Sequence, residues 1–525
     1  MIRVRPLSAR SPHHQTYTEG EHMYDVLVVG GGIAGLRAAA AAKGAGASVA
    51  LITQSHPTRS YSVTVQDGIN APESAEGRDS HVSDTLAAGA GLNVASVVAS
   101  VCREAAGLVE ELDRMGVPFN RVGSVIDRAA VSGDGNPRTT YVNDITGLAV
   151  TQTLWEQAIG AGVDIYEEWI ALSLVVENGE CAGVVALQLA TGEVEPFRAK
   201  GVVLATGGPR RAFEPSTASL LCSGSGIALA YRAGAALADM EFVQYYPTVL
   251  NGSHLALSPL LFGVGAALED GNVRLNGALD DAQVEARFPD TLHRVEALSG
   301  VNMLKEPAPV HSAMSRLLGG IDVTVQGESS LAGLFAAGEC AGNGFHGAQG
   351  LDGNFLLASI ASGKSAGLAA AAQVRPFGDS AVGEQAAGAV RSELDAALDR
   401  PGGAPVAALR SELASLMHEK VGESRNAGGL NEAIQRIRAM REEHAQLGAG
   451  SSARDYNFGL VQYLELGALL DVAEAIAVSA SERTESRGVH QRTDHPKQDD
   501  AQSTRLQVTK GESGAQVSRE TTPAS

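Results

Sequence analysis

An α/β fold built on a Rossmann-like βαβ unit with buried parallel strands is what this sequence predicts, and three observations predict it. Tyr24–Val29 is a short β-branched run of the kind buried in parallel sheets, and Ser48–Thr53 is a second. Between them stand Gly30-Gly31-Gly32-Ile33-Ala34-Gly35 and the Ala-rich helical stretch Leu36–Lys43, which complete a βαβ unit. The third observation is a pair of later apolar strands that end in small residues. Val202–Ala205 runs into Thr206-Gly207-Gly208, and Gly333–Ala337 runs into Gly338-Glu339.

The glycine spacing gives the first unit a chemistry. In Gly30-x-Gly32-x-x-Gly35 the first glycine makes the tight turn, the second lets backbone approach a pyrophosphate, and the third lets helix pack on strand. Free N–H groups at the helix N-terminus then favour an anion. This is a Rossmann-like dinucleotide-binding unit. No acidic residue closes the second strand, where Thr53 and Gln54 stand, and that argues against NAD as the ligand.

Composition excludes several classes. A chain of 525 residues is long enough for roughly two to four domains. Its net charge of −20 leaves no basic footprint for nucleic acid or anionic lipid. Cys102, Cys181, Cys222 and Cys340 are scattered without ligand spacing, as in a reduced cytoplasmic protein without a metal site. Residues 1–22 carry Arg3, Arg5 and Arg10 but no apolar h-region, so no secretory signal is expected. The longest apolar run, Leu460–Ala480, is interrupted by Glu465, Asp471 and Glu474 and reads as a core helix, so direct membrane insertion is not expected.

Taken in order, His81–Leu86 opens a helical region to about Met115, and Gly116–Arg121 turns into a short strand. Leu148–Gly160 is helical; Asp164–Val176 and Cys181–Leu189 form a hairpin about Asn178-Gly179. Ile227–Ala236 is helical and leads to Asp239-Met240-Glu241-Phe242-Val243-Gln244-Tyr245-Tyr246-Pro247-Thr248. Residues 376–404 are Ala/Gly/Pro-rich and read as a looser connection. Long helical patterns follow over Ser411–Leu447 and Leu460–Ser481. Beyond Asp500 only Leu506–Val508 suggests a strand, and the last dozen residues read as disordered.

Over residues 23–510 these motifs resemble the succinate dehydrogenase/fumarate reductase flavoproteins, a family that includes L-aspartate oxidase. The resemblance is carried by His56–Val63, Gln66–Ala71, Thr206–Gly208, Asp239–Thr248, Gly333–Cys340, His346–Gly347 and Arg483–His490. It implies a Rossmann-like two-dinucleotide-fold FAD domain (23–244 and 316–375) and a small capping domain (245–315). A helical C-terminal domain (376–490) follows, with an N-terminal extension (1–22) and a C-terminal tail (491–525) at the ends. It implies FAD held by Gly30, Gly32, Ala34, Gly35, Thr53, Gln54, Arg59, Ser60, Tyr61, Gln66, Gly68, Ala205, Thr206, Gly207, Gly208, Gly338, Glu339, Asn354 and Leu356. Tyr61 stands where many members carry the histidine bonded to flavin, so FAD is expected to be non-covalent. An iron–sulfur or other electron-transfer partner is a further implication. The charged Arg483–His490 stretch reads as fold-holding ion pairs rather than catalytic groups.

The substrate positions depart from the family. Its substrate-binding histidines and arginines match Tyr246, Phe262, Ser315 and Gly350 here, so four basic groups are absent together. An unpaired carboxylate entering a closed site loses several kcal/mol of solvation. Succinate, fumarate and aspartate are therefore not expected as substrates, unless Arg274 or Arg316 replaces a lost charge. The first reading is an FAD-dependent oxidoreductase for a less anionic substrate. Its pocket would be walled by Leu260, Leu261 and Phe262, with Tyr245, Tyr246 and His346 as polar groups. Tyr246 and His346 are the candidate catalytic residues, Tyr246 alternatively filling only the volume of a histidine. A non-catalytic or electron-transfer flavoprotein and a dicarboxylate enzyme with a rebuilt site are the other readings.

Overall fold

Val26, Leu27 and Val28 are wholly buried, and so is every residue of the strand Val49–Thr53, as strands covered on both faces must be. The computed structural model describes residues 22–131, 136–217, 219, 221–400, 404–512 and 514–519. The expected extension over residues 1–22 therefore lies almost entirely outside the described residues. His22–Val29 pairs in parallel with Val49–Thr53 on one side and Val194–Leu204 on the other. The sheet has seven strands, with Asp164–Glu167 at one edge and Leu334–Ala336 added in parallel to Val194–Leu204. Glu180–Gln188 and Trp169–Glu177 extend it antiparallel.

Side-chain alternation divides the first strand between two cores. Val26 and Val28 face the helices Ile33–Gly44, Ala95–Met115, Thr146–Gly160 and Asn354–Ala371. Leu27 and Val29 face the side occupied by Ser225–Arg232 and the C-terminal helices. The expected Asn178-Gly179 turn is present, with φ of 52° and 80° at its two residues, the pair of positive angles that a tight hairpin needs. The hairpin's first arm begins only at Trp169, because Glu168 at φ 63° breaks the chain and sends Asp164–Glu167 to the parallel edge.

A second unit projects from Val243–Leu250 and Ala308–Leu317. These two antiparallel strands are extended by Asn272–Leu275 and Ala266–Glu269 into a four-stranded sheet. Leu250, Leu257, Leu260, Leu261, Val273 and Phe288 form its own apolar core.

Three expectations need correction. The helical region after His81 is two helices, Ala75–Ala88 and Ala95–Met115, parted where Ala90 and Gly91 take positive φ. The stretch read as a loose connection contains the helix Ser380–Leu398, whose alanines and leucines pack on the antiparallel strands. Its low volume per residue hid a genuine apolar face. The last dozen residues include a strand, Gly514–Arg519, paired to Leu506–Gly511, which in turn pairs with Leu237–Ala238.

Arg483–His490 is structural. Arg483 is wholly buried and bonds Glu241 at 2.6 Å and Glu485 at 3.0 Å, while Arg487 reaches Glu485 at 2.8 Å. One carboxylate thus serves two buried guanidinium groups. Removing it leaves the buried Arg487 without its carboxylate and Arg483 with Glu241 alone, at a cost of about 3–5 kcal/mol. Glu485→Ala should therefore lower the thermal midpoint by several degrees in calorimetry; an unchanged midpoint would show the network to be dispensable.

Candidate active site

The cofactor-binding motifs meet in one cleft of about 1460 Å³, an envelope that includes some open solvent. Its floor is bare backbone. Gly30 has φ 115°, and a Cβ there would lie 2.3 Å from the Ala205 carbonyl oxygen. A Cβ on Gly35 would lie 1.9 Å from the Gly30 carbonyl oxygen. Gly32 is the N-cap of the helix Ile33–Gly44 and has no side chain of its own to cap with, while Ser62 Oγ accepts from the Ile33 N–H at 3.1 Å. Gly32, Ile33 and Ala34 line the cleft, so the first turn of the helix stands at its wall, the arrangement that holds a pyrophosphate.

Of the expected cofactor contacts, Gly30, Gly32, Ala34, Thr53, Gln54, Ser60, Tyr61, Ala205, Thr206, Gly207, Gly338, Glu339 and Leu356 line this cleft. Six do not. Gly35 and Gly208 lie behind its wall; a Cβ on Gly208 would meet the Glu339 carboxylate at 2.3 Å. Arg59 is exposed. Gly68 packs against Thr139 and Thr140. Asn354 is fully buried and its amide oxygen is bonded by His81 at 2.7 Å and Asn70 at 3.0 Å, so it fixes the helix start from beneath. Gln66 is buried, and both polar atoms of its side chain lack a hydrogen-bond partner.

One wall residue escaped sequence reasoning. Arg210, 1% exposed, forms an ion pair with Glu339, donates to the Ser315 carbonyl, and lies 3.7 Å over the Tyr61 ring. Glu339 also accepts from the Leu317 N–H at 3.1 Å. The Arg210-Arg211 pair directly after the Gly207-Gly208 turn was the available signal.

The substrate-side expectations divide. His346 and Arg316 line the cleft, on the ring of Phe355: the guanidinium sits 3.9 Å above it and the imidazole 4.8 Å from its centre. Arg316 donates to Asp67 at 3.0 Å. Burial and the Arg316 charge push His346 down to about 3, so the imidazole is neutral at ordinary pH. The expected apolar wall is elsewhere. Leu260 and Leu261 are wholly buried in the second unit's own core because Leu260–Gly263 forms a helical turn, and Phe262 packs against that core. Tyr245 is turned toward His418, 3.4 Å away. Tyr246 is not among the cleft-lining residues; its hydroxyl donates to the Leu257 carbonyl at 3.0 Å. Loss of solvent, with the carboxylates of Asp352 and Asp67 nearby, holds its phenol well above the ordinary value. Arg274 lies on an outer hairpin beside Glu269, so it replaces no lost charge.

The fold and this cleft define an FAD-dependent oxidoreductase. Residues 25–266 and 264–356 match the family described as FAD binding domain, and residues 410–523 match the one described as fumarate reductase flavoprotein C-term. The chain is 32% identical to the succinate dehydrogenase flavoprotein subunit of Rickettsia bellii, over 93% of this chain and 92% of that one. Identity to the fumarate reductase flavoprotein subunit of Haemophilus influenzae is 30%, over 91% and 90%. A solved E. coli quinol fumarate reductase structure superposes with a TM-score of 0.91 at 28% identity, covering 96% of this chain and 98% of that one. The chain belongs to the succinate dehydrogenase/fumarate reductase flavoprotein family.

The residues present fit FAD. The cradle at Gly30 and Gly35 has no room for a side chain, and the first turn of the helix Ile33–Gly44 lines the same space. Gly35→Ala would place a methyl group against the Gly30 carbonyl, displacing the turn or the helix. That protein should purify with less than about a tenth of the wild-type flavin absorbance at 450 nm, an affinity loss of at least ~1.4 kcal/mol. Full flavin content would show that the turn tolerates the displacement.

Proposed function

We propose that this flavoprotein transfers reducing equivalents between FAD and a small organic substrate that is not succinate, fumarate or aspartate. One observation carries the reading. The two arginines that line the cleft, Arg210 and Arg316, are each matched to a carboxylate, Glu339 and Asp67. A dianion entering here meets no uncompensated cation, and its desolvation goes unrepaid. Position 350 points the same way: a Cβ on Gly350 would lie 2.4 Å from the Phe355 ring, so an arginine there is incompatible with the Phe355–Arg316 stack.

Bound FAD supplies hydride exchange and onward electron transfer. Glycines 30, 32 and 35 would hold its pyrophosphate. His346 lies on the cleft wall, which Tyr246 does not, and is the better placed of the two candidates; with its basicity so lowered it would hydrogen-bond the substrate rather than take up its proton. Tyr246 already donates its proton to Leu257, which supports a packing role for it. The relatives are named as flavoprotein subunits, and we propose an electron-transfer partner for this chain too. Among the described residues no helix is long and apolar enough to cross a membrane, and the four free, buried cysteines suit a cytoplasmic protein.

Two measurements test the reading. Acid precipitation should release the FAD into the supernatant, because Tyr61 replaces the histidine through which the family links flavin; flavin remaining with the pellet would sink the non-covalent assignment. Anaerobic mixing with succinate, or with fumarate after reduction, should leave the flavin spectrum unchanged over minutes. Turnover of succinate, fumarate or aspartate at about 1 per second or faster, a normal enzymatic rate, would establish a rebuilt dicarboxylate site instead.

A further inference from the structure

Asp67 stands immediately behind the cleft wall, on the segment that follows the cofactor-binding turns. Its carboxylate accepts from Arg316 at 3.0 Å, and both side chains are largely buried, 17% and 14% exposed. The rest of the Arg316 guanidinium lies flat on Phe355, whose ring also carries His346. Arg316, the cation that lines this end of the cleft among the described residues, is therefore paired with its own neighbour, and the imidazole beside it is neutral. An anion brought to His346 and Arg316 would find the guanidinium already bonded to a carboxylate and would be repelled by that charge. A neutral carbonyl or amide group meets no such penalty. It can accept from guanidinium N–H groups not turned to Asp67 while its carbon skeleton lies against Phe355.

We infer that Asp67 is the specificity-determining residue of this cleft, excluding anionic substrates by neutralising Arg316 and so restricting the site to uncharged carbonyl-type compounds. The inference rests on the functional reading above, and it makes Asp67 a positioning residue: it sets the charge that Arg316 presents and touches no reacting atom.

Isothermal titration of the FAD-loaded protein with fumarate and with fumaramide tests it, because these share a skeleton and differ by two charges. Wild type should bind fumarate at least about ten-fold more weakly than fumaramide. Asp67→Asn and the smaller Asp67→Ser should each gain about ten-fold or more in fumarate affinity while fumaramide binding stays within about two-fold. Adding Arg316→Gln to Asp67→Asn should abolish the gain, since the freed cation would be gone. Wild type that binds fumarate as tightly as fumaramide overturns the underlying functional reading. Wild type that rejects fumarate, with variants that keep their flavin and gain nothing, overturns the role of Asp67 and leaves that reading standing. If neither variant retains FAD, Asp67 holds the fold rather than the specificity, and the inference is equally overturned.

Discussion

Bare backbone meets bare backbone at four glycines beneath the cleft, and those contacts decide where the helices and the cofactor must lie. Gly30 touches the Ala205 carbonyl and Gly35 touches the Gly30 carbonyl, fixing the turn between strand and helix. Gly363 and Gly367 do the same between helices: a Cβ on either would come within 2.4 Å or 2.2 Å of the carbonyl of Ala34 or Ala38. The helices Ile33–Gly44 and Asn354–Ala371 therefore cross with almost nothing between their backbones. Such contacts cannot relax by rotamer changes, since one partner has no side chain and the other is main chain. The start of the first helix is thereby held in place relative to the second, and the backbone of its first turn is positioned before any ligand arrives.

What could be read in the sequence was local. Gly30-x-Gly32-x-x-Gly35, Asn178-Gly179 and the small residues after each central strand are signals that a few adjacent residues carry, and the structure follows them. Signals spread over the chain were harder to read. Arg316 and Asp67 lie 249 residues apart, so their sequence neighbourhoods could place Arg316 near the substrate but could not show that its charge is already taken. Leu260 and Leu261 were expected to wall the pocket because a family position lies beside them. A helical turn points both into the second unit's core, and only their three-dimensional neighbours reveal it. Ser380–Leu398 failed for another reason: alanine and glycine blur the contrast between polar and apolar faces on which periodicity depends.

The last step concerns why this cleft keeps its arginines at all. A buried ion pair is a poor source of stability, since desolvation of both partners offsets most of their attraction, and apolar replacements are often as stable. Yet Arg210 and Arg316 are both retained, and each also stacks on an aromatic ring, Tyr61 in one case and Phe355 in the other. Stacking leaves edge N–H groups of a guanidinium available while a carboxylate cancels its charge. Such an arginine acts as a rigid hydrogen-bond donor rather than as an anion receptor. Tyr61 is braced by Arg210 on its face and by Thr217, 3.1 Å from its hydroxyl, so a fixed ring stands on the cleft wall there. The same device thus recurs at two points on the cleft wall, offering shape and charge-compensated hydrogen bonding at both.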